Sequence, residues 1–231
     1  MAFRPDTTPP IAPSPDELTA RMTAIGMAFA AAPEVDADIE GTLVHASSVG
    51  MDDGDLRVLS VLTTWFGVHH AHVNADALIR LVAAHPSHRV HAYWAAVASW
   101  CAKDRRFARL AKGYRGPAID LLSVGTDFQL ARRGADPRFA GTVLRVPSGT
   151  LRDRAKDVLS PEVLVRRHAG YRNRVRMGPT WRADVWTVLE RSPALSIAEV
   201  ARRVSCSFAT AWQVAQDFRL LQQAHALPRR D

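Results

Sequence analysis

The chain has 231 residues, an apolar fraction of 47% and a formal net charge of +7. Such a length predicts one large or two small soluble domains with a proper core. No run approaches the roughly 18 apolar residues of a membrane span, and no signal-peptide pattern opens the sequence, which argues against a membrane protein or an exported one. Only Cys101 and Cys206 are present, both in helical surroundings, and they read as reduced, buried thiols of a cytoplasmic protein.

In chain order, residues 1–14 hold Pro5, Pro9, Pro10 and Pro13 with little to bury, and are expected to form a disordered arm. A helix follows from Pro15, capped by Ser14 and carrying Leu18, Met22, Ile25 and Phe29. A second runs from Asp36 to Gly50, with Ile39, Leu43 and Val44. The segment Leu56 to Val68 is apolar on more than one face and reads as the central buried helix. Asn74 caps a short helix that Pro86 stops. Ser87 opens the next, where Val90, Tyr93, Trp94, Val97 and Cys101 repeat at helical spacing. Phe107, Leu110 and Tyr114 suggest one more, completing a helical domain over residues 15–116.

Residues 117–179 form a mixed, basic connecting region. Gly125, Gly134, Pro137, Gly141, Pro147 and Gly149 argue against helices in its first part, and Thr142 to Val146 has the look of a lone short strand. Leu151 to Leu159 and Pro161 to His168 read as helices. Thr180 is placed to cap a helix from Trp181 to Arg191, and two more helices bring this unit to residues 180–222, with a tail over 223–231.

The net charge conceals a division. Residues 1–100 carry 5 basic and 11 acidic side chains, whereas residues 101–231 carry 25 and 12. Arginine is densest between Thr150 and Arg182, with Arg166, Arg167, Arg172, Arg174, Arg176 and Arg182 in its second half and Tyr171 and Trp181 interleaved. The planar guanidinium donates two parallel hydrogen bonds and keeps its proton, which suits phosphate. A phosphate backbone would be drawn to this half and repelled by the other, so binding is expected to be one-faced and salt-sensitive. A solvated helix face paired with the acidic N-terminal domain is the plainer alternative.

The arginines run into the most informative stretch. Ser196 and Glu199 form a capping box, Val200, Ala201 and Val204 follow, Ser205, Cys206 and Ser207 make a turn, and a second helix starts at Phe208. Counting Ile197 as the first position, Val200, Val204, Cys206, Ala211 and Val214 fill the five positions that must be apolar when two helices pack at a sharp angle. Ala201 is the small residue at their closest approach. Ser205 occupies the turn position where glycine is usual. This pattern resembles the helix-turn-helix of bacterial transcription regulators, and the resemblance implies double-stranded DNA as the partner. The run Arg172, Asn173, Arg174, then Gly178 and Trp181 to Asp184, is similar to bacterial proteins that look like antitoxin-type or mobile-element regulators.

In the second helix of the motif, Phe208, Ala211, Val214, Ala215 and Phe218 are expected to face inward. Ser207, Ala209, Thr210, Trp212, Gln213, Gln216 and Arg219 are expected to face out. Gln213 and Gln216 would pair with adenine edges, Ser207 and Thr210 with phosphate or base, and Ala209 with a thymine methyl. The residues left after Gln222 are too few for a β-hairpin wing. The expected fold class is therefore mainly α: a helical N-terminal domain plus a C-terminal helix-turn-helix, winged-helix-like without a full wing.

The six histidines between positions 69 and 91 lack a coherent ligand spacing, since Pro86 separates His85 from His88 and His91, and no metal site is expected. Asp52, Asp53 and Asp55 precede a helix, where carboxylates favour the dipole without an ion. There is no phosphate-cradling loop, dinucleotide fingerprint or nucleophile elbow, so neither an enzyme nor a cofactor is expected. The sequence reading is thus a homodimeric DNA-binding regulator or antitoxin-like component, its helical domain available to a protein partner. The rival is a protein-interaction module whose three helices dock a partner; a further reading is RNA binding through the arginine segment.

Overall fold

The computed structural model describes residues 12–35 and 37–226, and is mainly helical. The first 11 residues of the expected arm, residues 227–231 of the expected tail, and Asp36, the expected start of the second helix, lie outside the described residues. Helix α1 (Pro15–Ala24) begins with a complete Ser14–Glu17 capping box and a proline in its first turn. Asp38 caps α2 (Ile39–Met51), Asp55 caps α3 (Leu56–His69), Asn74 caps α4 (Ala75–Ala84) and Ser87 caps α5 (His88–Trp100). Each supplies a side-chain oxygen to a backbone amide that the helix itself leaves unpaired. The helix expected around Phe107 is only a 3-10 turn followed by α6 (Ala108–Ala111).

These helices enclose a core in which Leu43, Leu59, Leu62, Trp65, Phe66, Trp94 and Phe107 have no exposed surface. Its buried polar tips are matched. The Trp65 indole donates to the Ile25 carbonyl at 2.7 Å, and the Trp94 indole to the Ser47 hydroxyl at 2.9 Å. Gly50 is needed where α2 meets α3. A Cβ there would sit 2.7 Å from the Leu59 side chain, so only a bare Cα allows the two helices so close.

The region expected to connect two domains contributes to this same core. Leu121, Phe139, Leu144, Val146, Leu151, Leu164 and Tyr171 are all buried in it. The lone strand has a partner: β1 (Ile119–Asp120) runs parallel to β2 (Leu144–Arg145), with Ile119 opposite Leu144. Between them lies α7 (Thr126–Arg133), a helix that fits between Gly125 and Gly134 despite the glycine density around it. The helix expected over 151–159 is absent apart from a 3-10 turn at Ala155–Asp157. Tertiary backbone pairing explains this. The Ala28 amide donates to the Asp157 carbonyl at 2.8 Å and the Leu159 amide to the Gly26 carbonyl at 2.8 Å, so those groups are taken by a distant segment.

Helices α8 (Pro161–Arg167) and α9 (Ala169–Met177) lead to α10 (Trp181–Arg191), α11 (Ile197–Arg203) and α12 (Phe208–Ala226). Thr180 holds the N-cap position of α10, although its side chain makes no capping bond. The last three helices surround a second, smaller core of Val185, Leu189, Val200, Ala201, Cys206, Ala211, Val214, Ala215 and Phe218. Trp186 packs edge-on against Phe218 with ring centroids 5.0 Å apart.

A buried histidine ties α9 to the first core. His69 Nε2 donates to the Leu159 carbonyl at 3.0 Å, and the Tyr171 hydroxyl donates to Nδ1 at 2.9 Å. That pairing needs a neutral ring, because a second ring proton would face the tyrosine donor. Burial lowers the His69 pKa from 6.5 to about 4. Between those values the unfolded chain binds a proton that the folded one refuses. The stabilisation is therefore complete above pH 6.5 and is lost as pH falls through 4. We expect the stability advantage of the wild type over a His69→Gln variant to grow by ~2–3 kcal/mol from pH 4 to pH 6.5. Urea unfolding across that range checks this; parallel profiles for the two proteins would refute it.

Candidate nucleic-acid interface

The unit of α10, α11 and α12 is assembled by local rules. Ser196 and Glu199 close a capping box at the start of α11. At its end, the Cys206 amide donates to the Ala201 carbonyl at 3.0 Å and the Ser205 amide to the Arg202 carbonyl at 3.1 Å. These two bonds are those of a Schellman motif, which requires a left-handed residue just past the helix. Ser205 supplies it with φ of 54°, the one non-glycine residue with positive φ among those described. The turn also carries Cys206 into the small core, where burial pushes its thiol up to about 11 and keeps it protonated. Of the five apolar positions in the motif, Val200, Cys206, Ala211 and Val214 are buried there and Val204 packs against them.

Helix α12 presents most of the expected outward face. Ala209, Trp212, Gln213 and Arg219 are exposed, and Gln216 is half-buried. Ser207 and Thr210 have local work: the Thr210 amide donates to the Ser207 hydroxyl at 3.1 Å, and the two hydroxyls lie 2.8 Å apart. Ser207 thus caps α12, which ties up part of the bonding capacity assigned to base or phosphate. Phe208, expected to face inward, is 49% exposed.

The arginines divide by helical phase. Arg166 and Arg167 end α8 and are exposed; on α9, Arg176 is exposed and Arg172 half-buried. Arg182 is exposed and paired with Asp217 at 2.7 Å, a surface contact contributing about 0–1 kcal/mol and competing with any phosphate.

Arg174 is not available to phosphate at all, which corrects the sequence expectation. Its side chain is turned inward and the residue is only 4% exposed. Nη1 and Nη2 donate to the two oxygens of Glu40 at 2.7 and 2.8 Å, and Nε donates to Asp184 Oδ1 at 2.8 Å. Asn74 completes the cluster, its backbone amide donating to Glu40 at 2.7 Å and its side-chain amide to Asp184 at 2.9 Å. Burial pushes the Glu40 carboxyl up to about 7 against the pull of Arg174. On Arg174 the same desolvation is outweighed by Asp184 and Glu40, which hold it protonated. We regard the pair as ionised, because both glutamate oxygens accept guanidinium donors.

Glu40 and Arg80 escaped the sequence reading, and Asp184 entered it only as the end of the run from Trp181, with no role assigned. One signal was available: Glu40 sits among Ile39, Leu43 and Val44 on a helix otherwise destined for the core, and a buried acid needs a cation. Arg80 donates to the Ser205 carbonyl and lies over the Trp181 ring, 4.8 Å from its centroid. Tyr171, interleaved among the arginines in sequence, is buried on His69. Among the described residues, no group of three or more histidine, cysteine or acidic side chains is placed to hold a metal ion. None of the described helices is long and apolar enough to cross a membrane.

The chain matches no protein-family model, and no curated protein or solved structure is detectably similar to it.

Replacing one partner of a buried ion pair leaves an uncompensated charge. Arg174→Ala is expected to destabilise the fold by about 3–5 kcal/mol, whereas Arg176→Ala should stay within about 0.5 kcal/mol. Chemical denaturation of the two variants checks this, and equal stabilities would contradict the buried role of Arg174.

Proposed function

We propose that the protein binds double-stranded DNA through α11 and α12, as a repressor-type transcriptional regulator or antitoxin-like component acting as a homodimer. The observation that carries the reading is the helix pair joined through Ser205, with Val200, Cys206, Ala211 and Val214 closing a core of its own. This arrangement leaves a helix face bearing Ala209, Gln213 and Gln216 for base edges. Arg166, Arg167, Arg172 and Arg176 would hold phosphate; Arg174 is removed from that set by its burial. Pairing of two copies would supply the specificity that one short helix lacks. The first core would carry the dimer contact or receive a protein partner.

A second reading is favoured by a specific observation. Phe208 and Trp212 are 49% and 47% exposed on the same helix, and Leu220 and Leu221 are also exposed further along it. Exposed aromatic side chains of this kind suit a protein partner, and the three helices would then form a docking unit.

The test is fluorescence anisotropy on duplex DNA across a salt series, comparing wild type with an Arg172→Ala/Arg176→Ala variant that leaves Arg174 in place. Binding should weaken steeply with salt, and the slope of log affinity against log salt should fall by about 2 in the variant, at roughly 0.9 for each phosphate no longer neutralised. Absence of binding at low salt would sink the DNA reading in favour of the docking one. Stronger binding to structured RNA than to duplex DNA would also overturn it.

A further inference from the structure

The first core carries a cationic strip of its own. Residues 103–115 hold six basic side chains and one acid, Asp104, whose carboxylate is taken by Arg106. The 3-10 turn Arg105–Phe107 runs straight into α6, and its apolar positions orient the whole stretch: Phe107 and Leu110 are buried in the core. Arg105, Arg109 and Lys112 recur at spacings of four and three, which puts them together on the opposite side, and all three are exposed. Arg106 fastens the stretch to the loop before α4, its guanidinium donating to the carbonyls of His70, Ala71 and Val73.

The three outward cations are not neutralised by the protein. Among the described residues, Arg105 and Lys112 make no ion pair, and Arg109 meets only Asp76, at 4.0 Å, with the two side chains 78% and 72% exposed. Such a surface contact is weak and screened by salt. Asp76 and Asp104 are thus the acids that answer six cations, a surplus of four positive charges.

Helix α4 places this surplus beside the turn that joins α11 to α12. Asp76 and Arg80 are four residues apart on α4, so they are neighbours on one face, about 6 Å apart along the axis. Asp76 meets Arg109, and Arg80 donates to the Ser205 carbonyl. The strip and the turn before α12 therefore sit on the same face of α4, one helical turn apart. From Arg105 to Lys112 the helical rise is about 10–12 Å, over which one strand of duplex DNA presents about three phosphates.

We propose that Arg105, Arg109 and Lys112 form a second contact with the phosphate backbone of duplex DNA, on the stretch flanking the one met by α12. This rests on the DNA-binding reading and extends it, because the first core would then touch DNA directly. Cations in a row suit a polyanion, whose negative charges also come in a row, better than they suit a single carboxylate. Arg109 would exchange Asp76 for a phosphate, which a guanidinium grips with two parallel hydrogen bonds. The contact would carry no sequence information; its part is to fix the register and orientation of the protein on the duplex.

The experiment is fluorescence anisotropy of the full chain on a long random duplex across a salt series. Wild type is compared with Arg105→Gln/Arg109→Gln/Lys112→Gln, with Arg105→Lys/Arg109→Lys, and with the Arg172→Ala/Arg176→Ala protein. The glutamine variant should lower the slope of log affinity against log salt by about 2–3, at roughly 0.9 for each phosphate released. The lysine variant keeps the charge and should keep the slope. Thermal melting confirms that the glutamine variant is folded; if it is not, Arg109→Gln alone should lower the slope by about 0.9. An unchanged slope in the folded glutamine protein, beside a lowered one in Arg172→Ala/Arg176→Ala, would overturn the strip and leave the DNA reading standing. A slope lost equally in the lysine variant would also overturn it, since charge would not then be what the duplex meets. If wild type binds no duplex at low salt, or binds structured RNA more strongly, the DNA reading itself fails and the second contact falls with it.

Discussion

The guanidinium of Arg174, held between Glu40 and Asp184, joins four helices that are far apart in sequence. It reaches α2 through Glu40 and α10 through Asp184, and Asn74 brings in the start of α4 by bonding to both acids. Taking three charged groups out of water costs several kcal/mol per ion, and their mutual attraction repays this only with near-complete hydrogen bonding. Here both oxygens of Glu40 and both of Asp184 have named donors. The value of such a cluster lies in geometry more than in net stability. An apolar contact between α9 and α10 would tolerate sliding, whereas a guanidinium fork with two carboxylates fits in one arrangement only.

The placement of the small core follows from this. Helix α10 is at once the carrier of Asp184 and the scaffold of Val185 and Leu189, on which α11 and α12 pack. Fixing α10 against α9 and α2 fixes the base on which α11 and α12 pack. Its other tether is lighter: Arg80 reaches the Ser205 carbonyl from α4 and stacks on Trp181, with open space beside it. One side of the unit is therefore anchored by buried charge and the other by a half-buried arginine at the edge of a cleft.

What the sequence made legible was local. The caps at Ser14, Asn74, Ser87 and Ser196 depend on a few adjacent residues, and so does the Schellman turn that Ser205 completes. What it hid was set by distant partners. The extended path around Leu159 exists because Gly26 and Ala28 take its backbone groups, and β2 gains a strand partner 25 positions upstream at Ile119. Helix α7 contradicts its glycine-rich surroundings because those glycines sit at its ends, where positive φ is useful. Phe208 was expected in the core and is exposed at the start of α12. In the candidate interface, counting arginines found the charged segment and could not tell which side chains point outward. Arg172 and Arg176 differ from Arg174 only by their phase on α9.

That phase also bears on whether the basic half of the chain neutralises the acidic half or serves something else. Several acids of the first hundred residues are already engaged nearby: Asp38 and Asp55 cap helices, and Asp52 accepts from the Ser48 and Ser87 hydroxyls. Of the six arginines singled out in the sequence, Arg174 alone pairs with an acid from that half among the described residues, and Arg182 pairs within the small unit. Arg166, Arg167 and Arg176 stay exposed. Among the described residues, pairing with the acidic half therefore accounts for one arginine of the six, through a buried bridge whose role is architectural. The excess positive charge remains at the surface, where its field reaches about 8–10 Å at physiological salt and is strongest toward a partner presenting many negative charges together. A polyanion such as a phosphate backbone satisfies that condition more fully than an isolated acidic side chain does.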